Sequence, residues 1–356
     1  MIIQIWGAPA ETIGEKLTYK LSQEEKQTGT IATTKLKAIL DDIRTIGFAV
    51  VEGVVSESTC RLMSESVLED VEKIRAKGEK TPHEKLTGEG HLQLGLRRHA
   101  PYVKVDLVAN PIIECVVSGL LEEGAWLGFY NGNVNCPGST AQPLHFDRPS
   151  SWRTEADAER DGQSWPPPAT TLSCSIALEE ITEENGATEI YPGSHTEISV
   201  MSWGMEERLR NHPDLIEKWA PPGRMPIPAG GVCFRDPRMW HRGVPNRAGK
   251  PRAMIAATYH AARCQHWRGT YTQDLDVERA EKLAVNPELR IMDDGKLGDG
   301  RLVFQDDAQD VFEAADNIHG INRNVRFVKS PDRVNHFLDA HLLGGARVVR
   351  NADISP

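Results

Sequence analysis

The stretch Gln142–Asp147 places an imidazole and a carboxylate two residues apart, at His145 and Asp147. In an extended strand, residues i and i+2 project from the same face, so both side chains can point at one metal ion. Two histidines and one carboxylate on one face of an octahedron form the ligand set of many mononuclear iron(II) sites. The stretch therefore predicts two of the three protein ligands of such a site.

The third ligand is expected from a histidine far along the chain. His241 is the best candidate, since it lies ninety-six residues after His145 in the segment Asp236–Asn246. Arg252 follows eleven residues later, at the start of a strand-like run. A guanidinium at that place can clamp a carboxylate through two hydrogen bonds, as arginine does better than lysine. The pattern predicts a metal site beside a carboxylate-binding site.

Two other pairs have the same spacing of a histidine and a carboxylate. They are His195 with Glu197 and His212 with Asp214. The first histidine ends a Pro-Gly-Ser-His turn, and the second lies where Asn-His-Pro-Asp predicts that one helix stops and another starts. Neither pair is followed by a histidine and an arginine at matching spacing. Both pairs are therefore interpreted as lying outside the metal site.

Short elements with recognisable chemistry follow one another between residues 34 and 260. In chain order they are His145–Asp147, Glu183–Ala187, Tyr191–His195, Trp240–Gly243 and Arg252. Their order and spacing resemble the phytanoyl-CoA hydroxylase-like family of iron(II)/2-oxoglutarate-dependent dioxygenases. The resemblance implies that His145, Asp147 and His241 bind Fe(II) and are the catalytic residues. It also implies that Arg252 holds the distal carboxylate of 2-oxoglutarate.

Further contacts with 2-oxoglutarate are implied by the same resemblance. The family often uses polar groups before the His-x-Asp motif and after the Asn-Gly turn, and the matching candidates are Gln142, Asn131, Asn133 and Thr188. Asn131 and Asn133 share one face of the strand expected over residues 125 to 135. These four residues are predicted cofactor-binding residues.

The reaction that the resemblance implies is oxidation of a C–H bond in a small metabolite, with consumption of O2 and release of succinate and CO2. Hydroxylation is the default, secondary metabolism is one setting, and desaturation, cyclisation and endoperoxide formation stay open. A halogenase of similar fold would carry a small residue in place of Asp147, so oxygenation is favoured. Two other classes also stay open: a cupin-like metal-dependent isomerase or hydrolase that does not use 2-oxoglutarate, and a non-catalytic binding protein.

The elements that must position these residues are mainly short strands. Between residues 125 and 260, strand-like runs alternate with turns, which indicates a mainly β fold with flanking helices and a double-stranded β-helix of the jelly-roll or cupin kind. Apolar residues at helical spacing predict helices from residue 34 and over residues 56 to 77. We expect an irregular N-terminal arm (1–33), a dioxygenase domain with N-terminal helices (34–260), and a C-terminal extension packed on that domain (261–356).

Three segments between the strands have their own composition. Residues 78 to 100 are rich in glycine and charged residues and predict a mobile loop that contains the cluster Arg97–His99. Residues 150 to 168 contain Trp152, Trp165 and three consecutive prolines, which favours a lid or rim. A polar helical insert is expected over residues 201 to 219, and a helix near residues 330 to 342.

Composition limits the classes of partner. The 356 residues carry a formal net charge of -10 without a basic block, which argues against nucleic acid and anionic membranes as partners. The six cysteines form no C-x-x-C motif and are interpreted as reduced thiols. The sequence shows neither a signal peptide nor a run of membrane-spanning length. We expect a cytoplasmic protein with a small-molecule substrate, and self-association stays open.

Overall fold

The computed structural model of the protein describes residues 17–261 with short gaps, and the short stretches 302–304 and 325–327. The gaps are residues 77, 79, 95, 97–100, 103, 109, 123–124, 149, 151, 153, 198–204 and 220. The cluster Arg97–His99, the helix expected near residues 330 to 342 and nearly all of the C-terminal extension lie outside the described residues. The domain boundaries therefore stay predictions.

The described helices flank the sheets. They are α1 (Gln23–Thr28), α2 (Thr33–Thr45), α3 (Glu57–Ala76), α4 (Pro82–Thr87), α5 (Val105–Val108), α6 (Pro111–Leu121), α7 (Glu155–Arg160), α8 (Met205–Asn211), α9 (Pro213–Trp219) and a 3-10 turn at Ser194–Thr196. None of the helices in the described part of the chain is both long and apolar enough to cross a membrane.

The described strands form a large sheet, a small sheet and a separate pair. They are β1 (Thr18–Lys20), β2 (Phe48–Glu52), β3 (His91–Leu94), β4 (Trp126–Asn135), β5 (Thr171–Ala177), β6 (Thr188–Ile190), β7 (Gly223–Met225), β8 (Val232–Arg235), β9 (His241–Arg242), β10 (Arg252–His260), β11 (Leu302–Phe304) and β12 (Val325–Phe327). The large sheet has the order β1-β2-β8-β5-β10-β4-β3, and the small sheet has the order β7-β6-β9. β11 pairs with β12.

The large sheet has two differently packed faces, as the alternation along β10 shows. Ala253, Ile255 and Ala257 are buried in the apolar core that includes helices α2, α3 and α6. Met254, between them, packs against the second core, which lies between the large and the small sheet. Successive residues of a strand point to opposite faces, so β10 contributes to both cores. This two-sheet arrangement with flanking helices confirms the predicted mainly β, jelly-roll fold.

The two long helices form where apolar residues recur at helical spacing. Ile39 and Ile43 on α2, and Met63, Val67 and Ile74 on α3, are almost fully buried. This spacing places each set on one stripe that faces the sheet. Full burial of such a side chain stabilises the fold by roughly 1.5–3 kcal/mol. The helices predicted from residue 34 and over residues 56 to 77 are both present.

The prediction of a mobile loop over residues 78 to 100 is wrong for α4 and β3. Thr81 accepts a hydrogen bond from the N–H of Glu84, whose carboxylate accepts one from the N–H of Thr81. This capping box, with Pro82 in the first turn, starts the helix. Glu84 also pairs with Arg75 at 2.8 Å. The sequence prediction followed the glycine- and charge-rich composition of the segment and did not consider this capping box.

The irregular arm expected before residue 33 is likewise wrong where the structure describes it. β1 pairs in parallel with β2, and α1 begins with a capping box formed by Ser22 and Glu25. The carboxylate of Glu25 also accepts hydrogen bonds from the N–H of Ala32 and from Lys35. One buried carboxylate therefore ties the strand, the helix and the start of α2 together.

Replacing Glu25 by glutamine is expected to lower the free energy of unfolding at pH 7 by about 1–3 kcal/mol. The hydrogen bond from Lys35 and those from two backbone N–H groups lower the pKa of Glu25 from 4.5 to about 2. A carboxylate with a lowered pKa stabilises the fold above its unfolded pKa, and this contribution disappears as the pH falls towards its folded pKa. The difference between the two proteins should therefore shrink between pH 4.5 and pH 2. Urea denaturation across this range measures it.

The exposed neighbour Glu24 on the same helix provides the control. Glu24→Gln should leave the free energy of unfolding within about 0.5 kcal/mol of the parent at every pH. A constant difference between the parent and Glu25→Gln from pH 7 to pH 2 would contradict the assignment.

Candidate metal centre and co-substrate pocket

Backbone pairing brings His145 and His241 face to face. The N–H of His145 donates to the carbonyl of His241 at 3.0 Å, and the N–H of His241 donates back at 2.8 Å. Residues opposed in an antiparallel pair project to the same side, and the two imidazole centroids lie 4.4 Å apart. Two residues on, the N–H of Asp147 donates to the carbonyl of Pro237 at 2.9 Å. The segment around His145 thus extends the small sheet beyond β9.

The three predicted ligands meet in one place. Oδ1 of Asp147 lies 3.4 Å from Nε2 of His241 and 3.9 Å from Nε2 of His145. One ligand atom from each residue lies within 4.8 Å of the others, and no second such group of His, Cys, Asp or Glu occurs among the described residues. Adjacent ligands bonded to a divalent metal at about 2.1 Å are about 3 Å apart. The separations are close to those that a bound metal requires.

Each histidine presents its Nε2 lone pair to this centre. Nδ1 of His145 lies 2.7 Å from the carbonyl of Pro143, and Nδ1 of His241 lies 2.9 Å from the carbonyl of Met239. A carbonyl oxygen only accepts, so Nδ1 carries the proton in both rings. Burial is the largest cause that lowers the pKa of His145, to about 4. His145 is therefore neutral at pH 7, as a metal ligand must be.

Arg235, which the sequence did not single out, completes the environment of Asp147. Its Nη2 donates to Oδ2 of Asp147 at 2.6 Å. Its Nη1 lies 3.2 Å from Nδ1 of His241. A guanidinium only donates, so this contact would need an unprotonated Nδ1. The 2.9 Å bond from Nδ1 of His241 to the carbonyl of Met239 needs a protonated Nδ1 instead. We assign the bond to Met239 because it is shorter and leaves Nε2 unprotonated.

The charges around Asp147 keep it ionised. Burial alone would raise the pKa of this carboxyl, but His241 and Arg235 outweigh burial and hold the pKa well below its usual range. The side chain of Asp147 is 39 % exposed, so the centre opens to solvent on one side. Two neutral imidazoles and one carboxylate are a donor set that suits Fe(II), and the residues present therefore fit this metal.

His195 and His212, the histidines of the two other His-x-carboxylate pairs, lie outside the group of metal-ligand atoms. His195 is buried, and its Nε2 lies 3.1 Å from the carbonyl of Arg44. It thus joins the small-sheet side of the fold to the end of α2. His212 separates α8 from α9, as the expected helix stop and restart requires. Neither belongs to the group of ligand atoms found in the described part of the chain.

Arg252 begins β10 as a buried cation. Its Nη2 donates to the carbonyl of Gly186 at 2.8 Å. Among the described residues, its buried Nε has no hydrogen-bond partner and its guanidinium forms no ion pair with a carboxylate. Burial lowers the pKa of Arg252 to about 10, partly opposed by the charge of Glu179, so the side chain stays protonated at pH 7. A buried charge without a counter-ion is unfavourable, and the site suits an anionic ligand.

Polar side chains with unused hydrogen-bonding atoms lie beside Arg252. In the pairing of β4 with β10, Asn133 lies opposite Met254 and Asn131 opposite Ala256, so both project to the same face as Arg252. Both amide atoms of Asn131, Oδ1 of Asn133 and Oε1 of Gln93 are buried without a partner among the described residues. Buried polar atoms are normally hydrogen-bonded, so these atoms indicate a ligand pocket. Gln93, on β3 opposite Asn133, was not singled out from the sequence.

The two remaining predicted residues lie at the edges of this region. Oε1 of Gln142 accepts a hydrogen bond from the N–H of Gly243 at 2.9 Å, so its carboxamide oxygen is used within the protein. Thr188 lies on β6 two residues after Gly186, whose carbonyl binds Arg252. A contact of either residue with 2-oxoglutarate stays a prediction.

Gly186, whose carbonyl binds Arg252, has a backbone conformation that other residues rarely adopt. Its φ is +87°, and a Cβ there would lie 2.3 Å from Nδ2 of Asn135 and 2.9 Å from the carbonyl of Val244. Gly186→Ala is therefore expected to lower the free energy of unfolding by about 1–3 kcal/mol. It should also weaken 2-oxoglutarate binding, because the displaced carbonyl no longer orients Arg252. Chemical denaturation and a 2-oxoglutarate titration measure the two effects.

Gly249 is the matched control for this substitution, since it is exposed and a Cβ there would contact nothing within 4 Å. Gly249→Ala should leave both quantities unchanged. Equal stability and equal 2-oxoglutarate affinity of Gly186→Ala and the parent would show that the turn does not support the pocket.

The segment expected to be a lid is tethered beside the metal centre. Arg238 pairs with Asp236 at 2.7 Å and donates to the carbonyl of Pro167 at 2.7 Å. Within the segment, Nε1 of Trp152 donates to Asp161, and Trp165 is 38 % exposed. The loop before His241 therefore holds the proline-rich end of the segment.

Comparison with known proteins finds relatives of dioxygenase type. Dioxygenase andF of Emericella variicolor is 30% identical over 128 residues, which cover 35% of this chain and 37% of that protein. Dioxygenase trt7 of Aspergillus terreus (strain NIH 2624 / FGSC A1156) is 27% identical over 152 residues, which cover 42% of this chain and 51% of that protein. The chain thus matches about half or less of the length of these relatives.

A solved structure is also similar. The non-heme alpha ketoglutarate dependent carbocyclase SnoK from nogalamycin biosynthesis is 22% identical, with a TM-score of 0.45 over 64% of this chain and 84% of that chain. This likeness is too weak to support an inference about the reaction.

The family match is more extensive. Residues 43–254, which contain the three grouped ligands and Arg252, match the family described as phytanoyl-CoA dioxygenase (PhyH). Members of this family use Fe(II) and 2-oxoglutarate. Because the match covers more than half of the 356 residues, the protein belongs to the phytanoyl-CoA dioxygenase (PhyH) family.

Proposed function

We propose that the protein is an iron(II)/2-oxoglutarate-dependent dioxygenase that oxidises, most simply by hydroxylation, a C–H bond of a small metabolite. The single observation that carries this proposal is the buried guanidinium of Arg252, which has no carboxylate partner among the described residues. A dicarboxylate co-substrate supplies the missing counter-ion. The family membership and the grouped His145, Asp147 and His241 support the same proposal.

In this proposal, His145, Asp147 and His241 hold Fe(II) through two neutral nitrogens and one carboxylate oxygen. With three protein ligands, bound iron would keep further coordination positions for co-substrates. Bound iron supplies the activation of O2 that couples conversion of 2-oxoglutarate into succinate and CO2 to oxidation of the substrate. The hydrogen bonds to Pro143 and Met239 keep the protons on Nδ1, so both Nε2 atoms stay available.

Arg252 binds the distal carboxylate of 2-oxoglutarate. Asn131, Asn133 and Gln93 line the same face with buried polar atoms that lack partners among the described residues, and they orient the bound dicarboxylate. Gln142 and Thr188 are proposed as further contacts at the edges of the pocket. The apolar core between the two sheets shields this region from bulk water.

The alternatives explain fewer of these features. A cupin-like isomerase or hydrolase without 2-oxoglutarate would use the metal ligands but would have no use for the buried Arg252. A non-catalytic binding protein would need neither protonated Nδ1 atoms nor an ionised Asp147. The dioxygenase proposal accounts for the ligands and for Arg252 together.

The proposed substrate is a small, carbon-rich metabolite, with secondary metabolism as its setting and the cytoplasm as its location. The formal net charge of -10 disfavours nucleic acid as a partner, and the exposed side of Asp147 shows where the centre opens. Trp152 and Trp165 lie on the tethered segment and offer aromatic surface to an apolar substrate.

Succinate release in the presence of a metabolite library tests this proposal. The protein, loaded with Fe(II), is incubated with labelled 2-oxoglutarate and O2. We expect succinate above the iron-free control and a further increase with at least one library member. Complete recovery of unchanged 2-oxoglutarate from folded, iron-loaded protein would overturn the proposal in favour of one of the alternatives.

A further inference from the structure

We propose that Arg235 is a positioning residue that holds Asp147 as a one-oxygen metal ligand. This inference rests on the metal site of the proposed function. Arg235 ends β8, is only 6% exposed, and donates from Nη2 to Oδ2 of Asp147 at 2.6 Å. The other oxygen, Oδ1, faces the Nε2 atoms of His145 and His241. The two oxygens of one carboxylate thus have separate roles.

Arg235 reaches this place because β8 presents alternate residues to the interior between the sheets. Cys233, two residues earlier, belongs to the core between the large and small sheets, so Arg235 projects towards the same side. It is a charged residue at an inward position of an otherwise apolar strand. Burial of a guanidinium there is unfavourable without an anionic partner, and Asp147 is such a partner.

The contact has a consequence for coordination. A carboxylate can bind a metal through one oxygen or through two. A charge-assisted hydrogen bond of 2.6 Å to Oδ2 would compete with a bound metal for that oxygen. Asp147 would therefore offer the metal Oδ1 alone.

The neighbouring arginines do not share this role. Arg238 pairs with Asp236, and Arg242 pairs with Glu189 at 2.7 Å. Neither Asp236 nor Glu189 belongs to the group of metal-ligand atoms in the described part of the chain. Arg235 is distinguished because its carboxylate partner is itself a predicted ligand.

Two effects of Arg235 on metal affinity oppose each other. Its charge would repel a bound cation, whereas its hydrogen bond fixes the orientation of the Asp147 side chain, which is 39% exposed. Loss of partners that orient ligands typically weakens metal binding by about 10–100-fold. We expect the orienting effect to be the larger.

The test compares Co(II) binding to the full-length parent, Arg235→Met, Arg235→Lys and Arg242→Met by spectroscopic titration. Arg235→Met should bind Co(II) about 10–100-fold more weakly and show altered Co(II) absorption bands. The Co(II) affinity of Arg235→Lys should lie between those of Arg235→Met and the parent, because the lysine ammonium can still donate a hydrogen bond to Oδ2. Arg242→Met should match the parent, because Glu189 keeps a second partner in Arg224 at 3.6 Å.

The outcomes separate the inference from the proposed function. A parent that does not bind Co(II) would contradict the proposed metal site itself. If the parent binds Co(II) and Arg235→Met binds it equally tightly or more tightly, the role of Arg235 is overturned. If Arg235→Met does not fold, Arg235→Lys decides: unchanged affinity and unchanged absorption bands overturn the inference, and weakened binding with changed bands supports it.

Discussion

Replacement of Asp147 by alanine is expected to abolish succinate formation and to weaken metal binding by more than about 100-fold. Loss of a residue that only orients a metal ligand weakens binding by up to about 100-fold, and loss of a ligand itself should weaken it more. Asp147 supplies the one carboxylate of the grouped ligands, at 3.4 Å and 3.9 Å from the two Nε2 atoms. Its removal also leaves Arg235 without a counter-ion beside His241. The guanidinium would then repel the cation. Succinate assays and Co(II) titration measure the two losses.

The rival motif supplies the control for this experiment. Asp214 is exposed and follows His212 at the same spacing as Asp147 follows His145. Asp214→Ala should retain succinate formation and metal affinity. Substantial succinate formation by Asp147→Ala, with metal affinity like that of the parent, would place the metal elsewhere.

Replacement of Arg252 by alanine should mainly raise the concentration of 2-oxoglutarate that gives half-maximal rate. A charge-assisted pair of hydrogen bonds to a carboxylate contributes about 2–4 kcal/mol, which corresponds to a roughly 30- to 800-fold change. The increase in the half-saturating concentration should lie near the upper end of this range, because Arg252 is only 5% exposed and solvent screens the interaction little. Succinate formation at increasing 2-oxoglutarate concentration measures it.

Metal affinity separates this effect from general disruption of the centre. Co(II) should bind Arg252→Ala about as tightly as the parent, and Arg247→Ala, at an exposed arginine, should behave as the parent in both assays. An unchanged half-saturating concentration in Arg252→Ala would mean that another cation holds the distal carboxylate.

The strands that carry the site were predictable because their side chains alternate strongly. The strand-like run expected to start at Arg252 is β10, and β4 begins one residue later than the strand expected over residues 125 to 135. The grouping of His145, Asp147 and His241 followed from spacing, since i and i+2 share a face and the distal histidine needs a neighbouring strand. These features depend on local pattern and could be inferred before any contact was known.

The features that the sequence did not reveal depend on contacts distant in the chain. β3 becomes a strand because it pairs with β4, and its glycine- and charge-rich surroundings suggested a loop. Arg235 acquires its partner only because β8 lies beside the segment that carries Asp147, 88 residues earlier. Gln93 enters the pocket through the same pairing of β3. Pairing in the folded state, and not local preference, decides each of these positions.

Anaerobic titration of the protein with Fe(II) and then with 2-oxoglutarate tests whether the metal centre and Arg252 together bind the keto acid. A 2-oxoglutarate chelated to iron would give a metal-to-ligand charge-transfer band in the visible region. We expect this band in the parent only when both are present, its loss in Asp147→Ala, and a much higher 2-oxoglutarate requirement in Arg252→Ala. A folded, iron-loaded parent that shows no band at saturating 2-oxoglutarate would show that the site does not bind the keto acid at iron.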